Sequence, residues 1–250
     1  MVVAATKSFM GTPKVCPFIF RKLKQKLANF LKISYTFVYM NFVFIFYFII
    51  LLFSIIIHEV SHGYVAEILG DDTARVMGRL TLNPIVHLDP IGSVMLPLFL
   101  ILISVITRGP LILFGWAKPV PYNPLNLKDP KLGSFYIALA GPLSNIFIAV
   151  IFGLLIRFNI VGINDNLGLL FSLIVFLNLM LAIFNLLPIP PLDGSKVLFG
   201  ILPDRFYKVE EFFYRYQFIL FFIILMFGAS IVMPIVNFLF MVITSYPLAI

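Results

Sequence analysis

The chain has 250 residues, 61% of them hydrophobic and only 12% charged, with a formal net charge of +7. A soluble domain is about half apolar and about a quarter charged, so this chain cannot face water on all sides and its solvent is largely lipid. A single cysteine, Cys16, excludes an intramolecular disulfide framework and a metal site built mainly of thiolates, and reads as an inert small side chain.

In lipid every backbone polar group needs an internal partner, so spanning segments are helices or a closed barrel. The long apolar runs here lack period-two alternation, which selects helices and predicts an all-α polytopic membrane protein. Residues 1–57 carry seven basic side chains, Lys7, Lys14, Arg21, Lys22, Lys24, Lys26 and Lys32, and no acid. Basic and acidic residues balance in the remainder, so this stretch supplies the whole net charge. Phe20, Leu23, Leu27 and Leu31 recur at helical spacing beside the basic cluster. Residues 1–33 are therefore expected to form a basic amphipathic segment lying on an anionic membrane surface. A nucleic-acid partner does not suit so hydrophobic a chain.

Residues 34–245 read as a single transmembrane domain. The first span covers 35–57 and continues helically to about Leu69, with Gly70 as its stop. It has no small-residue cleavage site and is read as a retained helix, not a removed signal. Residues 70–92 are polar and turn-rich, with Asn83-Pro84 and Asp89-Pro90-Ile91-Gly92. The apolar run 93–106 is short for a crossing and is followed by Gly109-Pro110, so a re-entrant or hairpin segment is expected over 93–114. After a proline-rich loop, full spans are expected over 134–156 and 167–187. An aromatic, charged belt comes next at 204–217, then a last span over 218–240 that Pro234 could kink.

The chemistry concentrates in His58-Glu59-Val60-Ser61-His62, an H-E-x-x-H pattern. On a helix, residues i and i+4 share a face, so both imidazoles can reach one zinc ion. Glu59, next to the pair, is placed to take the proton of a zinc-bound water whose pKa the metal lowers to about 7. Ionisable groups within a membrane span are costly, which marks these three as functional candidates. A third protein ligand is needed. Asp193, after a long span and the proline-rich turn 188–191, is favoured, and His87 in the 70–92 loop remains open. His58 and Asp193 must lie on one side of the membrane, so the chain between them crosses an even number of times. Asn145 and Asn185 then sit at the depth of the metal. Their amides could hold substrate or donate to a developing oxyanion, or could simply join helices. The rival class is a divalent-ion transporter, which would need acids along a path through several helices; the helix interiors are nearly free of acids.

Three motifs occur in order: His58-Glu59-Val60-Ser61-His62, Gly141-Pro142-Leu143-Ser144-Asn145, and Asn185 through Gly194. Together with the loops 83–92 and 115–120 they resemble the site-2 protease family of intramembrane zinc proteases, in its compact bacterial branch, over about residues 35–240. The resemblance implies that His58, His62 and Asp193 bind Zn2+ and that Glu59 is the general base. It implies that Asn145 and Asn185 support substrate or oxyanion. It also implies a helical bundle around a three-helix core in the cell membrane, with zinc near the cytoplasmic face. Substrates would be single-span membrane proteins or signal-peptide remnants cut in or near the bilayer. The length of the chain leaves no room for the PDZ or CBS domains of some members. Ten basic residues on the metal side against eight on the other agree with a cytoplasmic placement by a small margin.

Overall fold

Four Asx-Pro steps punctuate the chain, and each opens a helical segment. Asn83, Asp89, Asn123 and Asp129 all have extended backbone, and each side chain accepts the N–H two residues on. The proline after each one sits in the first turn, where its missing N–H costs nothing and its fixed φ suits a helix. Two of these steps, Asn83-Pro84 and Asp89-Pro90, read as turns in the sequence; in the fold all four are N-caps.

The computed structural model describes residues 45–108, 115, 117–163 and 165–248. The amphipathic segment expected over 1–33 lies outside the described residues, as do positions 35–44 of the first span. The chain divides into units Met1–Phe48 and Ile49–Ile250. Apart from the first turn of the first helix, every described element belongs to the second unit.

Helix α1 (Ile45–Ile68) ends at Gly70, whose φ of 110° serves as the expected stop. Two short helices, α2 (Thr73–Val76) and α3 (Pro84–His87), fill the polar stretch after it. A π-helical turn at Pro90–Met95 runs directly into α4 (Leu96–Thr107). Next come the long helices α5 (Pro130–Arg157) and α6 (Asn166–Asn185). The last three are α7 (Asp193–Ile201), the amphipathic α8 (Tyr207–Arg215) and α9 (Gln217–Thr244). Helix α9 continues through Pro234. There is no strand among the described residues. Among the described residues, five helices are long and apolar enough to cross a membrane: α1, Pro90–Thr107, α5, α6 and α9. The chain is thus an all-α, multi-pass membrane protein.

Pro90–Thr107 is one continuous helix of 18 residues, longer than the 93–106 run suggested. The chain nevertheless comes back to where this helix starts. A Cβ built on Gly115 would lie 2.6 Å from the carbonyl oxygen of Gly92, and Lys118 N–H donates to the His87 carbonyl at 2.8 Å. Gly115 and Lys118 thus lie back beside the start of this helix, in keeping with the hairpin expected over 93–114. Helix α4 has no buried residue.

Helix α5 is the hub of the second unit, packing on α6, α7 and α9. Its C-terminal half contributes Ala149 and Ile156 to an apolar core with Val175 and Leu179 of α6 and Val232, Val236 and Phe240 of α9. Its N-terminal half contributes Ile137 to a smaller cluster with Ala66 of α1 and Leu127. Large outward side chains such as Phe218 and Phe227 on α9 and Phe147 on α5 are exposed, as a lipid-facing surface requires.

A candidate metal centre between three helices

His58 lies ten residues before the end of α1, about 15 Å of helix. Both imidazoles leave the same face of α1, at 4.7 Å between ring centroids and an interplanar angle of 89°. Each is held by its Nδ1 from α5. His58 Nδ1 donates to Asn145 Oδ1 at 2.6 Å, and His62 Nδ1 donates to the Ile137 carbonyl at 2.6 Å. A hydrogen bond of this kind sets the tautomer: with the proton on Nδ1, the Nε2 lone pair faces inward.

The third donor arrives from α7. Residues 186–192 turn the chain after α6, and Asp193 opens the next helix. Gly194 makes that turn possible, because any Cβ there would collide with the carbonyls of Leu186 and Leu187. Asp193 Oδ2 lies 3.0 Å from His58 Nε2 and 3.2 Å from His62 Nε2, and the two Nε2 atoms are 3.1 Å apart. Three acceptor atoms this close need positive charge between them. Protons on the Nε2 atoms can supply it. A metal ion supplies it better, because the Nδ1 atoms already carry the ring protons.

The triangle fits zinc in size and in chemistry. Nitrogen and oxygen donors about 2.0–2.1 Å from a tetrahedral zinc lie about 3.3–3.4 Å from one another, a little wider than the three edges here. Two imidazoles and one carboxylate, with a fourth position left open, are a donor set of catalytic zinc sites. Gly141 keeps the space clear. A Cβ there would stand 2.5 Å from His62 Nε2 and 2.6 Å from His58 Nε2, so α5 can back onto the two rings only without a side chain at 141. His58, His62 and Asp193 form a group able to hold a metal ion among the described residues.

Glu59 occupies the next position around α1 and is half-buried. Its Oε2 accepts the Val120 N–H at 2.9 Å, so the loop after the hairpin helix grips the carboxylate. That loop is pinned again at Asp71, which is fully buried. Asp71 accepts from Asn123 N–H at 2.7 Å, from Asn126 Nδ2 at 2.6 Å and from Thr73. Burial pushes the Asp71 carboxyl up, but these hydrogen bonds more than reverse it and leave its pKa below the ordinary value.

His87, the alternative third ligand, is not in the triangle. It is buried, and its Nε2 donates to the Thr81 carbonyl at 2.8 Å. Asn145 is fully buried, with its amide spent on His58, Ser54 and Asn178. Asn185 is half-buried at the end of α6, donating to the Leu181 carbonyl at 2.9 Å. Asn178, Ser54 and Asp71 carry no motif and escape a reading by pattern. The available signal for Asn178 was an amide in the middle of an apolar span, two helical turns before Asn185, hence on the same face.

The family model for peptidase family M50 matches residues 161–228. YwhC of Bacillus subtilis, which carries a zinc-metalloprotease name, is 37% identical over 198 residues, covering 76% of this chain and 84% of that protein. Zinc metalloprotease MJ0392 of Methanocaldococcus jannaschii is 30% identical over 159 residues, 64% of this chain and 35% of its own length. Rip2 of Mycobacterium tuberculosis, also carrying a zinc-metalloprotease name, is 30% identical over 149 residues, 59% of this chain and 53% of its own. No solved structure matches the chain significantly.

Proposed function

Because the chain belongs to peptidase family M50 and is a multi-pass zinc metalloendopeptidase, we propose that it hydrolyses peptide bonds in or near transmembrane segments of other membrane proteins, with Glu59 as general base. The observation that carries the proposal is the triangle of His58 Nε2 and His62 Nε2, on a helix long and apolar enough to span a bilayer, with Asp193 Oδ2 from the short helix α7. Its substrates are single-span proteins or signal-peptide remnants. The donor triangle opens towards the cytoplasmic side, consistent with the larger number of basic residues in the loops of that side. The catalytic domain is assigned to 34–245.

The chain's own residues divide the work. His58, His62 and Asp193 would hold the ion. Zinc held there would supply a Lewis acid and would lower the pKa of water to about 7. Glu59, beside the triangle, takes a proton from the attacking water and returns it to the departing amine. The Val120 N–H fixes Oε2 of that carboxylate, so its direction is set before substrate arrives. Asn145 supports the site from within, through His58. Asn185, half-buried at the end of α6 where the turn that delivers Asp193 begins, is the amide assigned to substrate or oxyanion. A substrate helix hides its peptide bonds in internal hydrogen bonds, so it must unwind before attack.

The test is zinc content and cleavage of a single-span substrate by purified protein. Wild type is expected to hold about one zinc and to cut. Glu59→Gln is expected to keep zinc and lose at least about 100-fold in turnover, the scale of a general-base contribution. Asp193→Ala is expected to lose zinc. Normal turnover by Glu59→Gln removes Glu59 from the chemistry.

A further inference from the structure

Behind His58 lies a buried chain of side-chain amides that the hydrolytic chemistry does not use directly. Asn145 Nδ2 donates to Asn178 Oδ1 at 2.9 Å and to the Ser54 carbonyl at 3.3 Å. Asn178 Nδ2 donates in turn to Ser54 Oγ at 3.0 Å and to the Ile174 carbonyl at 2.9 Å. Asn145 and Asn178 are fully buried and Ser54 nearly so. The network ties α1, α5 and α6 together at one level.

An amide can be turned over, exchanging its donor for its acceptor, and only its partners decide which end points where. Here two main-chain carbonyls decide it, and a carbonyl can only accept. The Ile174 carbonyl fixes Nδ2 of Asn178, so Asn178 presents Oδ1 to Asn145. The Ser54 carbonyl and Asn178 Oδ1 together fix Nδ2 of Asn145, so Asn145 presents Oδ1 to His58. His58 must then carry its proton on Nδ1, which leaves Nε2 as a lone pair aimed at the donor triangle. Reversing either amide would set oxygen against oxygen in a buried site. His62 needs no such relay, because its Nδ1 meets a main-chain carbonyl directly.

We propose that Asn178, backed by Ser54, is a positioning residue for metal binding: it orients the Asn145 amide, and through it locks His58 in the tautomer whose Nε2 can ligate. This inference rests on the reading of the donor triangle as a metal centre. Groups that orient a ligating histidine typically contribute about 10–100-fold in metal affinity.

The experiment measures the zinc dissociation constant of the full-length protein in detergent by chelator competition, beside the thermal unfolding midpoint of the metal-free protein. Asn178→Leu is expected to weaken zinc binding about 10–100-fold, and Ser54→Ala about 3-fold or more on the same scale. Ser172→Ala, on α6 but outside the network, is expected to leave affinity unchanged. If Asn178 acts through Asn145, the double variant Asn145→Leu/Asn178→Leu binds zinc no more weakly than Asn145→Leu alone. Fold-losses that multiply in the double variant would overturn the relay. So would an Asn178→Leu protein whose unfolding midpoint falls while its zinc affinity stays at the wild-type value, the mark of a helix-joining role only. Ser54→Ala, the milder change, decides the matter if Asn178→Leu does not fold: unchanged affinity overturns the proposal. A wild type that binds no zinc would instead sink the metal-centre reading itself.

Discussion

The two halves of α5 lie in different worlds. Its N-terminal part, as far as Asn145 just past the midpoint, lies with α1, the end of α6 and α7 around His58, His62, Asn178 and Asp193, joined by directed hydrogen bonds. Its C-terminal half meets α6 and α9 mainly through the apolar side chains Ala149, Ile156, Val175, Leu179, Val232, Val236 and Phe240, with a hydrogen bond from Arg157 to the Val242 carbonyl at the end of the helix. Adjacent residues of α6 serve both: Asn178 faces the polar end and Leu179 the apolar core. Apolar contacts are non-directional, and several side chains of similar volume satisfy them. A hydrogen-bonded site in a dry interior has one correct arrangement, and each missing partner leaves an unsatisfied group. Function sits in the half where tolerance is lowest.

The largest effect should come from a methyl group placed in the polar half. Gly141→Ala puts a Cβ among the imidazole atoms of His58 and His62. It is expected to cost about 100-fold or more in zinc affinity, measured by chelator competition, while the helical signal in circular dichroism stays near wild type. Zinc binding at the wild-type level would mean that α5 does not back onto the two rings.

The loop anchor comes next. Asp71 is fully buried and collects hydrogen bonds from Thr73, Asn123 and Asn126. Asp71→Ala leaves those donors unpaired and is expected to destabilise the fold by about 1–3 kcal/mol. Turnover should fall more than zinc affinity, because the same loop holds Glu59. The effect has a pH sign. The folded-state pKa of Asp71 lies below its ordinary value. Its stabilising contribution is therefore complete above the unfolded value of about 3.9 and is lost as pH falls through the folded one. The difference in unfolding midpoint between wild type and Asp71→Asn should be constant from neutral pH to about 5 and shrink in stronger acid. A difference that grows on acidification would contradict the assignment.

The smallest effect is expected in the apolar half. Phe240→Ala opens space in the α5–α6–α9 core, yet lipid is as apolar as the core, so only packing is lost. A cost of about 1–2 kcal/mol is expected, below the range for a soluble core, with zinc affinity unchanged. A loss of zinc as large as that of Gly141→Ala would erase the contrast between the halves.

Much of this molecule could be read along the chain, because the signals are local. The spacing of His58 and His62 puts both rings on one face of any helix that carries them. Runs of apolar residues declare the spans within a few residues of α5, α6 and α9. The turn-prone Asx-Pro steps also declare themselves, but their role depends on the residues beyond each proline, and helix-competent ones made them N-caps. The hairpin depended on where Gly115 returns, a contact across the chain with Gly92. Asp193 stands 131 residues beyond His62, and nothing local says that its oxygen ends 3.2 Å from that ring. That placement needed Gly141 to admit α5 and Gly194 to admit α7. The amide of Asn178 is visible in the sequence only as a polar residue in an apolar run; its orientation exists only once the carbonyls of Ser54 and Ile174 flank it. Periodicity and capping are properties of neighbours a few residues apart, so the chain carries them anywhere. The direction of a buried donor, and the meeting of ligands from α1 and α7, are settled only when all the helices pack at once.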